Sequence, residues 1–84
     1  MYSVEFSENA ADFIRKLDKN TQKRITKKIE ELKENPYLGK SLVGNLAGLW
    51  KLRIGDYRVT YKLEREKLII FIIKVGHRKN IYDK

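Results

Sequence analysis

Residues 50–62 read WKLRIGDYRVTYK, two alternating runs separated by Gly55–Asp56. A glycine in the first position of a two-residue connection suits a tight hairpin turn. Such a turn fixes the pairing of the two runs. Ile54 falls opposite Tyr57, Leu52 opposite Val59 and Trp50 opposite Tyr61. Those six residues make one apolar face, because successive side chains of a strand point to opposite sides. The other face carries Arg53 opposite Arg58, and Lys51 opposite Thr60. Directly opposed arginines destabilise a strand pair by roughly a few tenths of a kcal/mol. Splayed into water they would be screened and harmless. An anion between the two guanidiniums would turn the repulsion into binding.

The flanking sequence extends this hairpin into a sheet. Strands are expected at about 49–54, 57–64 and 67–75. The last contains LIIFII, residues 68–73, apolar at every position, as in a strand buried on both faces and central in its sheet. At the N-terminus, YSVEF (residues 2–6) alternates and reads as a first strand. Ser7 is a helix N-cap, and Ala10, Phe13, Ile14 and Leu17 recur at helical spacing, so a first helix is expected from Glu8 to about Asp18. A second helix restarts at Asn20 or Thr21, carries the stripe Ile25, Ile29 and Leu32, and stops at Pro36. Residues 36–48, with three glycines, read as a loop packed on the body. The expected fold is α+β, of order β-α-α-β-β-β: a mostly antiparallel four-stranded sheet with a two-helix hairpin on one face.

An 84-residue chain is expected to form a single domain, residues 1–84. It has no cysteine, which excludes a disulfide framework, a cysteine zinc site and a thiol nucleophile. No apolar run is long enough to span a bilayer, and MYSVEF lacks the regions of a signal peptide, so a cytoplasmic location is expected. The net charge is +8 and unevenly spread: residues 51–84 hold ten cations and four anions. That imbalance favours a polyanionic partner, nucleic acid first.

Beyond the hairpin, KVGHRKNIY (residues 74–82) adds His77, Arg78 and Tyr82. Strand parity puts Arg78 with Arg53 and Arg58. His77 is a possible proton carrier, since histidine alone titrates near neutrality unperturbed. Tyr82 is either a stacking platform for a base or a cap on the core. Lys23, Arg24, Lys27 and Lys28 make the second helix basic, either as an RNA contact or as a solvated face. One reaction suits cations and an aromatic without a metal or a carboxylate pair: cleavage of RNA by its own 2′-hydroxyl. There the protein orients the hydroxyl, removes a proton, offsets charge on the phosphorane-like transition state and protonates the leaving oxygen. A lysine crowded by cations gives up its proton more readily, and Lys51 is so placed.

The segment GLWKLRIGDYRVTYK, with the apolar strand and VGHRKNIY, resembles the RelE toxins of the RelE/ParE toxin–antitoxin superfamily. SENAADFIRKL and ENPYLGKSL are similar to that family too, so the likeness covers nearly the whole chain. It implies a type II toxin that enters the ribosomal A site, cuts mRNA and is neutralised by a RelB-like antitoxin. Toxins of this kind are weak nucleases off the ribosome. No cofactor and no metal are expected, since the reaction read from the residues needs neither. Matched motif to motif, Lys51 would be the base, Arg53 the second basic strand position, Arg58 and Arg78 the supports of phosphate and leaving group, and Tyr82 the residue that orients the nucleotide. The second basic position can be lysine in the family. Arginine cannot give up a proton in a protein, so with Arg53 there, Lys51 acts alone or His77 helps.

Two other readings compete. ParE toxins share the fold but poison DNA gyrase, and generally lack this cation set. A non-catalytic RNA-binding domain would use the same surface without turnover. Finally, Leu68, Ile70 and Ile72 are expected on the face away from the helices, for the antitoxin, the 36–48 loop or the C-terminal segment to cover.

Overall fold

The computed structural model describes residues 1–44 and 48–77. In chain order they form β1 (Ser3–Phe6), α1 (Glu8–Arg15), α2 (Lys19–Glu34), β2 (Lys40–Ser41), β3 (Leu49–Ile54), β4 (Tyr57–Glu64) and β5 (Ile69–His77). The strands make one sheet in the order β1-β5-β4-β3-β2. β1 runs parallel to β5, and every other pairing is antiparallel. The α+β class stands. The strand count does not: the sheet has five strands because Lys40 and Ser41, expected in a loop, pair with Lys51 and Trp50 of β3. Two residues are too few to show alternation, so the sequence carries no periodic trace of β2.

The helices form where side chains satisfy their open ends. Ser7 accepts a hydrogen bond from the Ala10 amide (3.0 Å) and donates its hydroxyl hydrogen to the Ile73 carbonyl (2.7 Å). One residue thus caps α1 and ties it to β5. Helix α1 stops at Arg15, short of the expected Asp18, because Asp18 serves the next helix. Its carboxylate accepts from the Thr21 amide (3.2 Å) and hydroxyl (2.6 Å). Those bonds, the hydroxyl's first, hold the Asp18 carboxyl below its ordinary value. Gln22 Nε2 closes the connection by donating to the carbonyls of Leu17 (2.9 Å) and Arg15 (3.1 Å). No helix among the described residues is long and apolar enough to cross a membrane.

Both helices lie on one side of the sheet. Ala10, Ile14, Ile25, Ile29 and Leu32 pack there against Leu52, Ile54, Val59, Tyr61, Ile70, Ile72 and Val75. Complete burial of one such isoleucine is worth about 1.5–3 kcal/mol. The expected hairpin register holds at every rung, from Ile54↔Tyr57 to Trp50↔Tyr61, and Gly55 turns the chain at φ 58°.

The face assigned to Leu68, Ile70 and Ile72 is corrected. Ile70 and Ile72 are fully buried beneath the helices, and Leu68 sits in the turn before β5 at φ 57°. The cause is a β-bulge. Thr60 pairs with Lys74, but its neighbour Tyr61 pairs with Ile72, leaving Ile73 as the extra residue. Counted back from Gly76 without a bulge, positions 72 and 70 would face away from the helices. Accordingly, β5 is not buried on both sides: Ile69, Phe71 and Ile73 are half-buried. The strand is interior, between β1 and β4.

Candidate functional site

On the face away from the helices, β3 and β4 present the residues that the hairpin register set aside from the core. Arg53 stands opposite Arg58, and Lys51 opposite Thr60. Opposed residues of an antiparallel pair share a face, so the three cations project to the same side. They meet in a pocket of about 370 Å³, lined also by Leu38, Gly39 and Lys40. Among the described residues, every charged one lining it is a cation. Arg53 is exposed, Lys51 half-buried, and Arg58 only 9% exposed. Arg58 pairs on its other side with Gly76, which brings no side chain to that flank.

The fourth cation, Lys40, comes from β2, where it stands directly opposite Lys51. Its wall of the pocket is fixed from below. The Tyr61 hydroxyl donates to the Pro36 carbonyl (2.9 Å) and accepts from the Gly39 amide (3.0 Å). Tyr61 is fully buried, and burial pushes its hydroxyl above the ordinary tyrosine value, partly offset by the Gly39 bond. Gly39 lies so close to β3 that a Cβ there would sit 2.5 Å from the Lys51 carbonyl oxygen. Aromatic packing continues the support: Trp50 stacks on Tyr61 at 6.2 Å and meets Tyr37 at 5.4 Å.

Lys40, Gly39 and the Tyr61 hydroxyl are missing from the expected site. Strand alternation placed Tyr61 in the core and was silent on its hydroxyl. The one available signal was a glycine beside a lysine in a segment already read as packed on the body.

His77 is placed elsewhere. It pairs with Tyr57, on the helix side of the sheet, and its ring meets that of Tyr57 edge-on at 5.2 Å. The sheet stands between it and the pocket, so the suggested help to Lys51 has no geometric support. Lys23, Arg24, Lys27 and Lys28 lie on α2, also on the helix side. Lys28 pairs with Glu31 at 3.3 Å, and the Arg24 guanidinium reaches the hairpin tip beside Gly55. They do not join the pocket. Arg78 and Tyr82 lie outside the described residues.

Residues 4–82 match the sequence profile of the ParE toxin of the type II toxin–antitoxin system parDE. This chain belongs to the RelE/ParE toxin family. The toxin is 31% identical over 80 residues to the mRNA interferase toxin RelE of Escherichia coli strain K12, covering 93% of this chain and 84% of that one. It is 31% identical over 83 residues to toxin RelG of Mycobacterium tuberculosis, covering 96% and 95%. Among solved structures it superposes on a chain of the M. tuberculosis toxin–antitoxin complex RelBE2 with a TM-score of 0.83. That match has 30% identity and covers 92% of this chain and 98% of the other. In this toxin, the family fold places three cations from two adjacent strands, and a fourth from a strand that the sequence hides, around one opening.

Proposed function

We propose that the toxin is a metal-independent, ribosome-dependent endoribonuclease that cuts mRNA in the A site. The observation that carries this reading is the meeting of Lys51, Arg53 and Arg58 in a pocket whose charged lining, among the described residues, is cationic. A phosphodiester is the anion that suits opposed guanidiniums. Relatives named mRNA interferase supply the substrate class.

In this mechanism the RNA brings its own nucleophile. Lys51 takes the proton of a 2′-hydroxyl. The 2′-oxygen attacks the adjacent phosphorus, and the bond from phosphorus to the 5′-oxygen breaks. The products are a 2′,3′-cyclic phosphate and a 5′-hydroxyl. The leaving oxygen takes a proton from water, and the hydroxide so formed recovers the proton from Lys51. Arg53 and Arg58 offset the charge that grows on the phosphoryl oxygens. Arg78 supports the leaving group and Tyr82 orients the nucleotide, by their places in the matched pattern. The chemistry relies on positioning and charge, which suits an enzyme whose substrate is held for it by the ribosome. A RelB-like antitoxin is the proposed partner, as in the solved complexes of relatives. Its contact is not Ile70 or Ile72, which the helices cover.

Primer extension on mRNA from a translating extract tests the reading. Codon-phased cuts that appear only with the toxin are expected. Their absence, with trapped gyrase–DNA complexes instead, would assign the chain to gyrase poisoning. Lys51→Ala is expected to slow single-turnover cleavage far more than it weakens ribosome binding. Equal losses would reduce Lys51 to a binding residue.

A further inference from the structure

We propose that Lys40 seats the phosphate 5′ to the ribose whose 2′-hydroxyl attacks, a second anion site beside the scissile phosphate. The proposal rests on the RNA-cleavage reading above. Lys40 and Lys51 are cross-strand partners on β2 and β3, and both line the pocket that holds Arg53 and Arg58. The cations therefore stand on rungs of two neighbouring ladders that share β3, Lys40 with Lys51 between β2 and β3 and Arg53 with Arg58 between β3 and β4. The two rungs meet on β3, where Lys51 and Arg53, two residues apart, are separated by about 6.8 Å, a step comparable to that between successive phosphates of an extended strand. Each ribose of RNA lies between two phosphates, and cleavage uses the one on its 3′ side. With the scissile phosphate on the arginine rung, the attacking ribose comes to Lys51. The chain then continues over Lys40 with its 5′ phosphate.

The support beneath Lys40 argues that its position matters. Opposed lysines repel, and β2 has only two residue pairs with which to resist. The pairing is extended by the Leu42 amide donating to the Leu49 carbonyl at 2.9 Å. It is further secured by the Tyr61 hydroxyl and by the close approach of Gly39 to the β3 backbone. Three features beyond the strand pairing itself thus keep a lysine against another lysine. A solvated surface cation requires none of them, whereas an RNA phosphate between the two relieves the repulsion directly.

The test is single-turnover cleavage on programmed ribosomes, titrated with toxin. One mRNA is unmodified and the other carries a neutral methylphosphonate 5′ to the attacking ribose. Lys40→Ala should raise the half-saturating toxin concentration about tenfold, as expected for one charge-assisted hydrogen bond, and leave the plateau rate within about twofold. Lys40→Arg should restore it. The methylphosphonate should weaken the wild type by the same factor and leave Lys40→Ala unaffected. An unchanged titration for Lys40→Ala would overturn the proposal. So would an equal penalty on both RNAs, or a lower plateau at unchanged half-saturation. If the wild-type toxin cuts neither mRNA, the nuclease reading itself fails and takes this one with it.

Discussion

Tyr61→Phe removes one oxygen and little volume, so it isolates the hydroxyl that braces residues 36–39. Two hydrogen bonds disappear, one to the Pro36 carbonyl and one from the Gly39 amide. Each neutral bond contributes about 0.5–1.5 kcal/mol net, and a buried group left unsatisfied costs about 1–3 kcal/mol. Pro36 is buried, so its carbonyl bears that cost. Gly39 is half-buried, and water can replace part of its loss. The expected sum is about 2 kcal/mol. For a domain of this size each kcal/mol moves Tm by about 4–8 °C, so Tm should fall by roughly 8–16 °C. Thermal and urea unfolding followed by circular dichroism measure the loss, with the urea slope unchanged. Trp50, the single tryptophan, packs between Tyr37 and Tyr61 and reports on the loop through its fluorescence. A loss under about 0.5 kcal/mol, below the range for even one net bond, with Trp50 emission unmoved, would refute the claim that this hydroxyl holds the pocket wall.

Three further outcomes follow from the same geometry. Gly39→Ala should cost about 1–3 kcal/mol by overpacking, since its Cβ would press on the Lys51 carbonyl; a neutral result in urea unfolding would show that the two strands separate freely. Arg53→Ser should raise stability by a few tenths of a kcal/mol at low salt by removing a like-charge neighbour of Arg58. The gain should vanish near 1 M salt, where screening is nearly complete, and a gain indifferent to salt would point to another cause. Because Tyr61 is raised from 10.0, its unfolded form loses the proton first as pH climbs. Its contribution is full below about pH 10 and declines as pH rises through the folded value. Alkaline unfolding of wild type, but not of Tyr61→Phe, should carry that slope; identical slopes would remove the assignment.

The hairpin was legible because its turn announces itself. Gly55–Asp56 sets a two-residue loop, and strict alternation from Trp50 to Tyr61 does the rest. With the register known, the common face of Lys51, Arg53 and Arg58 follows without further information. Alternation cannot report a strand of two residues, so Lys40 stayed hidden in a segment that reads as loop. It also cannot place a bulge inside LIIFII, where every residue is apolar and either parity looks satisfactory. The same limit misplaced Ile70 and Ile72. His77 lies next to Arg78 in the sequence, but nearness along the chain does not give a face; its pairing with Tyr57 does, and puts it on the helix side. The helix boundary slipped because Asp18 fits both the end of one helix and the start of the next, and hydrogen bonding to Thr21 decides between them.

The spare residue in β5 lets one strand obey two phase rules. From Ile69 to Ile72 the odd positions look outward; from Lys74 to Gly76 the even ones do. Chain length at this point is therefore as constrained as composition. Any isoleucine there could become valine at small cost, yet dropping one would rotate half the strand by 180° and drive either Lys74 inward or Ile70 and Ile72 into water.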